Sequence, residues 1–178
     1  MKEQYKVIRN LISEELAEFL GLYFLNLQNF SKGNLFDAQT MNTPSYDSQS
    51  ITETLLVMIL KRLEEESGIE LHPTYSYVRV YKKGDKLAFH TDRAACEISC
   101  SINLKHSHPW PIYMDGEKLI LQPGDGCLYK GMEVEHGRYE FEGDYCIQVF
   151  CHYVNTHLDH VDDHVSKPGK PRFITNLG

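Results

Sequence analysis

The sequence predicts an α+β chain that is mainly β, an antiparallel sandwich or barrel supported on one side by N-terminal helices. Two observations carry this. Apolar residues recur at helical spacing through the first third, and beyond Gly68 the chain breaks into short β-branched and aromatic runs. Gly and Pro turns separate most of those runs, as in a closed or two-layered antiparallel sheet. With 178 residues and 42% hydrophobic content, one domain with a sizeable core is expected. Residues 1–70 read as helical support and loop, 71–155 as the β core and 156–178 as a tail.

Ser13 is placed to cap a helix opening with Glu14 and Glu15, with Leu16, Phe19, Leu20, Tyr23, Phe24 and Leu27 as its apolar stripe. Residues 29–48 are rich in Ser, Asn, Gly and Asp. They read as a loop long enough to serve as a lid, with Tyr46 a candidate substrate contact. Ser50 with Glu53 has the capping-box pattern ahead of Leu55, Leu56, Ile59, Leu60 and Leu63, and Gly68 is the stop. Strands are expected at 75–81, 87–92, 97–104, 112–114, 118–121, 127–129 and 133–136, with the strongest at 145–154.

Composition excludes several functions. The net charge of −7 and the lack of a basic stripe argue against nucleic acid. No apolar run approaches the roughly 20 residues that cross a bilayer, and no signal region opens the chain, so a cytoplasmic protein is expected. Cys96, Cys100, Cys127, Cys146 and Cys151 are odd in number and lack CxxC spacing. They read as buried thiols rather than a disulfide framework or zinc site.

The chemistry lies in His90-Thr91-Asp92. Two imidazoles and a carboxylate hold non-haem Fe(II) on one face and leave the remaining positions open. On a strand, residues i and i+2 share a face, so His90 and Asp92 can reach one metal. His136, beyond the Pro123-Gly124 turn, is the third candidate. His157-Leu158-Asp159 and His160-Val161-Asp162 repeat the pattern, but they follow the last strong strand, in a polar segment with Pro168 and Pro171. With no later strand to supply a third ligand, His157, His160 and His164 read as part of a solvated tail.

Around His90, Asp92 and His136 the order of landmarks is specific. Tyr81-Lys82-Lys83-Gly84-Asp85 precedes the first pair, Glu97-Ile98-Ser99 follows it, Pro123-Gly124-Asp125 precedes His136, and a closing strand ends the series. Over residues 75–154 the chain resembles the 2-oxoglutarate-dependent Fe(II) oxygenases, in particular the prolyl 4-hydroxylase-like group. The resemblance implies a double-stranded β-helix, a jelly-roll or cupin-like barrel, with iron on His90, Asp92 and His136. It further implies Fe(II), 2-oxoglutarate and O2 as reactants, with ascorbate in support. An unactivated C–H bond of a prolyl residue, amino acid or other small substrate would be hydroxylated as succinate and CO2 leave. No catalytic residue beyond the metal ligands is implied.

One landmark is missing. The dianionic 2-oxoglutarate needs a cationic partner, and in the prolyl hydroxylase pattern a basic residue opens the last strand. Asp144, Tyr145 or Cys146 stands there instead. Arg138, two residues after His136, is the nearest substitute unless it pairs with Glu140 or Asp144. Arg79, Arg93 and Arg172 are further candidates. The resemblance assigns cosubstrate contacts to Tyr81 and Gln148. Arg93 is expected to pair with Glu97 or a substrate carboxylate, and Trp110 to pack under its proline-rich loop or to wall a pocket. The missing basic residue also supports a rival, a cupin-like barrel that binds a metal or small molecule without oxidative catalysis. A scaffold using the long loop and His-rich tail is the third reading.

Overall fold

A computed structural model describes residues 1, 3–35, 39, 40 and 43–155. The repeated motifs at 157–162, with His164 and Arg172, therefore lie outside the described residues. In chain order the elements are β1 (Tyr5–Ile8), α1 (Glu14–Leu27), β2 (Ser45–Asp47), α2 (Ser50–Met58), α3 (Leu60–Ser67) and β3 (Leu71–Lys82). There follow β4 (Leu87–His90), a 3-10 turn at Ala94–Cys96, β5 (Ile98–His106), β6 (Ile112–Met114), β7 (Glu117–Leu119), β8 (Gly126–Lys130), β9 (His136–Arg138) and β10 (Tyr145–Asn155). They build a six-stranded sheet, β1-β8-β5-β10-β3-β2, and a four-stranded sheet, β4-β9-β6-β7, antiparallel throughout. This is the jelly-roll arrangement.

The two-residue period of a strand gives the large sheet two chemically different faces. Val78 and Val80 of β3, Ile147 and Val149 of β10, and Cys100 and Ile102 of β5 join Leu20, Phe24, Leu56 and Leu63 of the helices in one apolar core. The opposite face reads across the strands as Tyr81 beside Cys146, Arg79 beside Gln148 and Asn103, Tyr77 beside Phe150 and Ser101, and Tyr75 beside His152 and Ser99. It is the polar and aromatic lining of the space closed by the small sheet.

The helices differ from expectation in detail. Ser13 does cap α1, accepting from the Leu16 N–H. The buried face is Ala17, Leu20, Gly21 and Phe24, whereas Phe19 and Tyr23 of the expected stripe are exposed. Gly21 is buried because the stem of Lys105 lies across it while the Lys105 ammonium pairs with Glu18 at 2.5 Å. The expected capping box does not form. Ser50 is already helical, Gln49 caps the helix without a side-chain bond, and Glu53 Oε1 instead accepts from Ser76 N and Oγ at 2.9 and 2.8 Å. The helix also breaks at Ile59 (ψ −7°) before ending, as expected, at left-handed Gly68.

The expected long loop contains β2, an edge strand paired with β3. Tyr46 of β2 points to the helical core, and its hydroxyl donates to the Ser31 carbonyl. It is not placed to touch a substrate held on the other face. The strand expected over 87–92 ends at His90. The five cysteines are free and buried. No helix among the described residues is long and apolar enough to cross a membrane.

Candidate metal centre

His90 ends β4 and His136 opens β9, and the two are directly paired across the small sheet. Gly137 makes that pairing close, since a Cβ there would stand 2.8 Å from the Phe89 ring. The imidazole centroids are 4.3 Å apart. Asp92 lies beyond the strand, held by its backbone N–H donating to the Gly131 carbonyl at 2.7 Å. Its Oδ1 is 3.6 Å from His90 Nε2 and 3.7 Å from His136 Nε2. One donor atom from each of the three residues falls within 4.8 Å of the others.

The tautomers follow from the neighbours. His90 Nδ1 is 2.7 Å from the Ala88 carbonyl and His136 Nδ1 is 3.0 Å from the Val134 carbonyl. A carbonyl only accepts, so each Nδ1 carries the proton and each Nε2 presents a lone pair to the common centre. Burial opposes a charged imidazole at His90, but Asp92 and the Ala88 carbonyl outweigh it and hold its pKa above the ordinary value. At His136 burial prevails over Asp92, and the pKa is lowered. Burial would raise Asp92, but His90 beside it, together with His152 and His136, holds it below the usual carboxylate range.

Sequence reasoning missed the support beneath Asp92. Ser99 Oγ lies 3.0 Å from Asp92 Oδ2, 3.0 Å from the Cys96 carbonyl and 2.8 Å from His152 Nδ1. Gly131 is the other half. A Cβ there would overlap the Cys96 carbonyl and stand 2.6 Å from Asp92 Oδ2. The available signals were a polar residue on the inward phase of each strand and a glycine ending β8. Asp92, Cys96 and His152 also bring donor atoms within 4.8 Å. Here, however, the Ser99 hydroxyl bonds two of the three, and burial pushes the Cys96 thiol up to about 12.

A second polar group bridges the sheets, with Arg138 on β9 of the small one and Gln148 and Asn103 on β10 and β5 of the large one. Arg138 is buried, donates to the Trp110 carbonyl and, at 3.3 Å, to Gln148 Oε1. Gln148 Nε2 donates to Asn103 Oδ1 at 2.9 Å, and Asn103 Nδ2 donates to the Leu121 carbonyl at 2.7 Å. The guanidinium lies 4.9 Å from the Trp110 ring centroid. Trp110 itself packs edge-on against Tyr81 at 4.8 Å. Among the described residues Arg138 has no carboxylate partner: Glu140 pairs with Lys86, and Asp144 is exposed. Among the described residues, Arg138 Nε, Ser101 Oγ and the Tyr81 hydroxyl are buried without a hydrogen-bond partner of ordinary geometry. Burial lowers the pKa of Arg138 and raises that of Tyr81, the latter against the pull of Arg79 and Arg138.

Of the other candidates, Arg79 shares the inward face beside Gln148 but has its guanidinium engaged by the long loop, and Arg93 lies over an aromatic ring. Arg79 donates to Thr40 Oγ1 and Gln39 Oε1 in the long loop, at 3.0 and 2.9 Å. Arg93 lies 5.1 Å over the Tyr75 ring rather than pairing with Glu97, whose Oε2 accepts from Asn155 N.

No family model and no curated protein matches the chain. Its fold does match solved structures. A Pseudomonas putida prolyl-4-hydroxylase aligns with a TM-score of 0.71 and 11% identity, over 86% of this chain and 94% of that one. The viral collagen prolyl hydroxylase of Paramecium Bursaria Chlorella virus-1, solved with 2-oxoglutarate, gives 0.66 and 12%, over 85% and 96%. The α-ketoglutarate-dependent epimerase SnoN of nogalamycin biosynthesis gives 0.74 and 11%, over 96% and 87%. This chain has the fold those enzymes share.

Proposed function

We propose that the chain is an Fe(II)- and 2-oxoglutarate-dependent dioxygenase, with His90, Asp92 and His136 as the iron ligands. The observation that carries the reading is the convergence of two Nε2 lone pairs and one carboxylate oxygen, from three segments, on one centre. That is the donor set of a facial non-haem iron site. The neighbours named for 2-oxoglutarate chemistry supply the class by analogy. Bound there, Fe(II) with 2-oxoglutarate and O2 would supply oxidative decarboxylation to succinate and CO2 coupled to hydroxylation of a C–H bond.

The chain's own residues fit the cosubstrate. Cys146 stands on the inward face where the basic residue was expected, and Arg138 brings its charge to that place from β9. Arg138 Nε and Tyr81 Oη are the unpaired polar atoms a distal carboxylate would satisfy, with Gln148 and the Trp110 carbonyl fixing the guanidinium. A buried cation without an anion is costly, and a dianionic ligand removes that cost. The neighbours' names span hydroxylation and epimerisation. Within that range we place the substrate among prolyl residues, amino acids or other small molecules, with hydroxylation as the reaction.

Anaerobic addition of 2-oxoglutarate to the Fe(II) protein should produce a visible charge-transfer band, and air with ascorbate should then release succinate. His136→Ala should abolish both. Undiminished succinate release in that variant would remove His136 from the ligand set, and absence of the band in the parent would leave a binding barrel.

A further inference from the structure

We infer that His152 is a positioning residue for the iron ligand Asp92, acting through Ser99; this rests on the ligand set proposed above. His152 and Ser99 are directly paired across β10 and β5. Both are buried, on the inward face of the large sheet. Ser99 Oγ is 2.8 Å from His152 Nδ1 and 3.0 Å from Asp92 Oδ2.

The proton count fixes the direction of the chain of bonds. The serine hydroxyl has one hydrogen to give. Asp92 Oδ2 and the Cys96 carbonyl, both at 3.0 Å, can only accept. If His152 Nδ1 also accepted, three acceptors would compete for that one hydrogen. With the proton on His152 Nδ1, the imidazole donates to Ser99 Oγ, and the serine hydrogen is left to two acceptors, the Cys96 carbonyl and the charged Asp92 Oδ2, of which the carboxylate is the stronger. Oδ2 is thereby held away from the metal, and Oδ1 is the oxygen left facing His90 and His136 Nε2 at 3.6 and 3.7 Å.

The imidazole is itself held by rings. Its centroid is 4.7 Å from that of Tyr75 and 5.6 Å from that of Tyr77, nearly parallel to the latter at 19°. Gly131 packs against the same oxygen, Oδ2, and its carbonyl holds the Asp92 N–H. Asp92 is thus steered by a side-chain donor and by backbone, the kind of outer support whose loss costs a metal site roughly 10- to 100-fold in affinity.

The test is Mn(II) affinity, read by electron paramagnetic resonance, with melting temperature recorded for each variant. His152→Phe keeps a flat ring between the tyrosines and removes the donor. His152→Asn loses ring packing but restores an N–H near the Nδ1 position. Positioning predicts that His152→Phe and Ser99→Ala each weaken Mn(II) roughly 10- to 100-fold. It also predicts that His152→Asn and Ser99→Thr stay within about threefold of the parent, and that Ser99→Ala/His152→Phe is no worse than Ser99→Ala alone. A packing role predicts the reverse order, with His152→Asn melting lower and binding more weakly than His152→Phe. That order, or additive losses in the double variant, overturns the inference. If His152→Phe does not fold, the contrast of Asn with Leu at 152, and of Thr with Ala at 99, decides the same question. A parent that binds no Mn(II) overturns the ligand set and this inference together, whereas tight parental binding unchanged in all variants overturns this inference only.

Discussion

The two ends of the space between the large and small sheets are built differently. At the metal end both imidazole Nδ1 atoms and Asp92 Oδ2 have partners, and of the atoms aimed at the common centre only His136 Nε2 has a further contact, accepting from the Tyr129 hydroxyl at 3.5 Å. At the Arg138 end two buried polar atoms, Arg138 Nε on β9 and the Tyr81 hydroxyl on β3, have no hydrogen-bond partner of ordinary geometry among the described residues. On the proposed function, the first end suits a small ion that needs lone pairs in fixed directions, and the second would be completed by an extended anion. Metal affinity should therefore depend on geometry, and cosubstrate affinity on the charge and hydrogen bonds of an incomplete pocket.

Arg138→Met should give the largest separation. Losing the cationic partner of a buried carboxylate should weaken 2-oxoglutarate by about 100-fold. The melting temperature of the metal-free protein should hold or rise, because the variant removes a buried cation at the cost of the donors to the Trp110 carbonyl and Gln148 Oε1. Trp110 reports the binding directly, being the only tryptophan and lying under the guanidinium. Its emission should respond to 2-oxoglutarate in the parent and not in the variant. A full response in Arg138→Met would move the anchor elsewhere, with Arg79 the next residue to change.

Gly131→Ala tests the metal end. The added methyl would press on Asp92 Oδ2 and the Cys96 carbonyl, so one of them must move. Strain of this kind costs about 1–3 kcal/mol. A displaced carboxylate should weaken Mn(II) about tenfold. Trp110 emission should still respond to 2-oxoglutarate with a smaller loss, since Arg138 is untouched. Equal losses of metal and cosubstrate affinity would mean the two ends are one mechanical unit.

Much of this was legible in the sequence because strand periodicity and turn residues are local signals. β6 was located to the residue at 112–114, and β3, β5, β8 and β10 to within a few positions. His90 and His136 were placed by their positions in that series. Asp92 is held differently from what strand periodicity predicts: the strand stops at His90, and a backbone bond to Gly131 supplies what the strand was expected to. Such a bond between distant segments leaves no trace in local pattern. The same is true of the capping box at Ser50, where Glu53 is drawn to Ser76 of β3. Tyr46 was misread because a short edge strand hidden in a polar loop sets its phase, and the phase turns it to the core.

Tyr81→Phe sharpens the Arg138 end with a smaller effect. Its hydroxyl has no partner of ordinary geometry, so the variant should leave the metal-free melting temperature unchanged or slightly higher. If the hydroxyl donates to the cosubstrate, 2-oxoglutarate should weaken by about 3- to 10-fold, one neutral hydrogen bond's worth. Mn(II) binding should not move. A fall in stability without a fall in 2-oxoglutarate affinity would make Tyr81 a packing residue against Trp110.

Tyr46→Phe is the smallest and serves as the control on the sheet's other face. The Tyr46 hydroxyl donates to Ser31 at 2.8 Å and holds the start of the long loop to β2. Its loss should cost about 1 kcal/mol of stability, the net value of one such bond. Metal and cosubstrate affinities should both be unchanged, because Val78, its partner across β3, faces the helices, whereas Arg79 on the next position faces the site. An effect on Mn(II) or on Trp110 emission would mean that the long loop, tied to Arg79 through Gln39 and Thr40, transmits its position to the inward face. The apolar face would then be part of the site's geometry as well as its support.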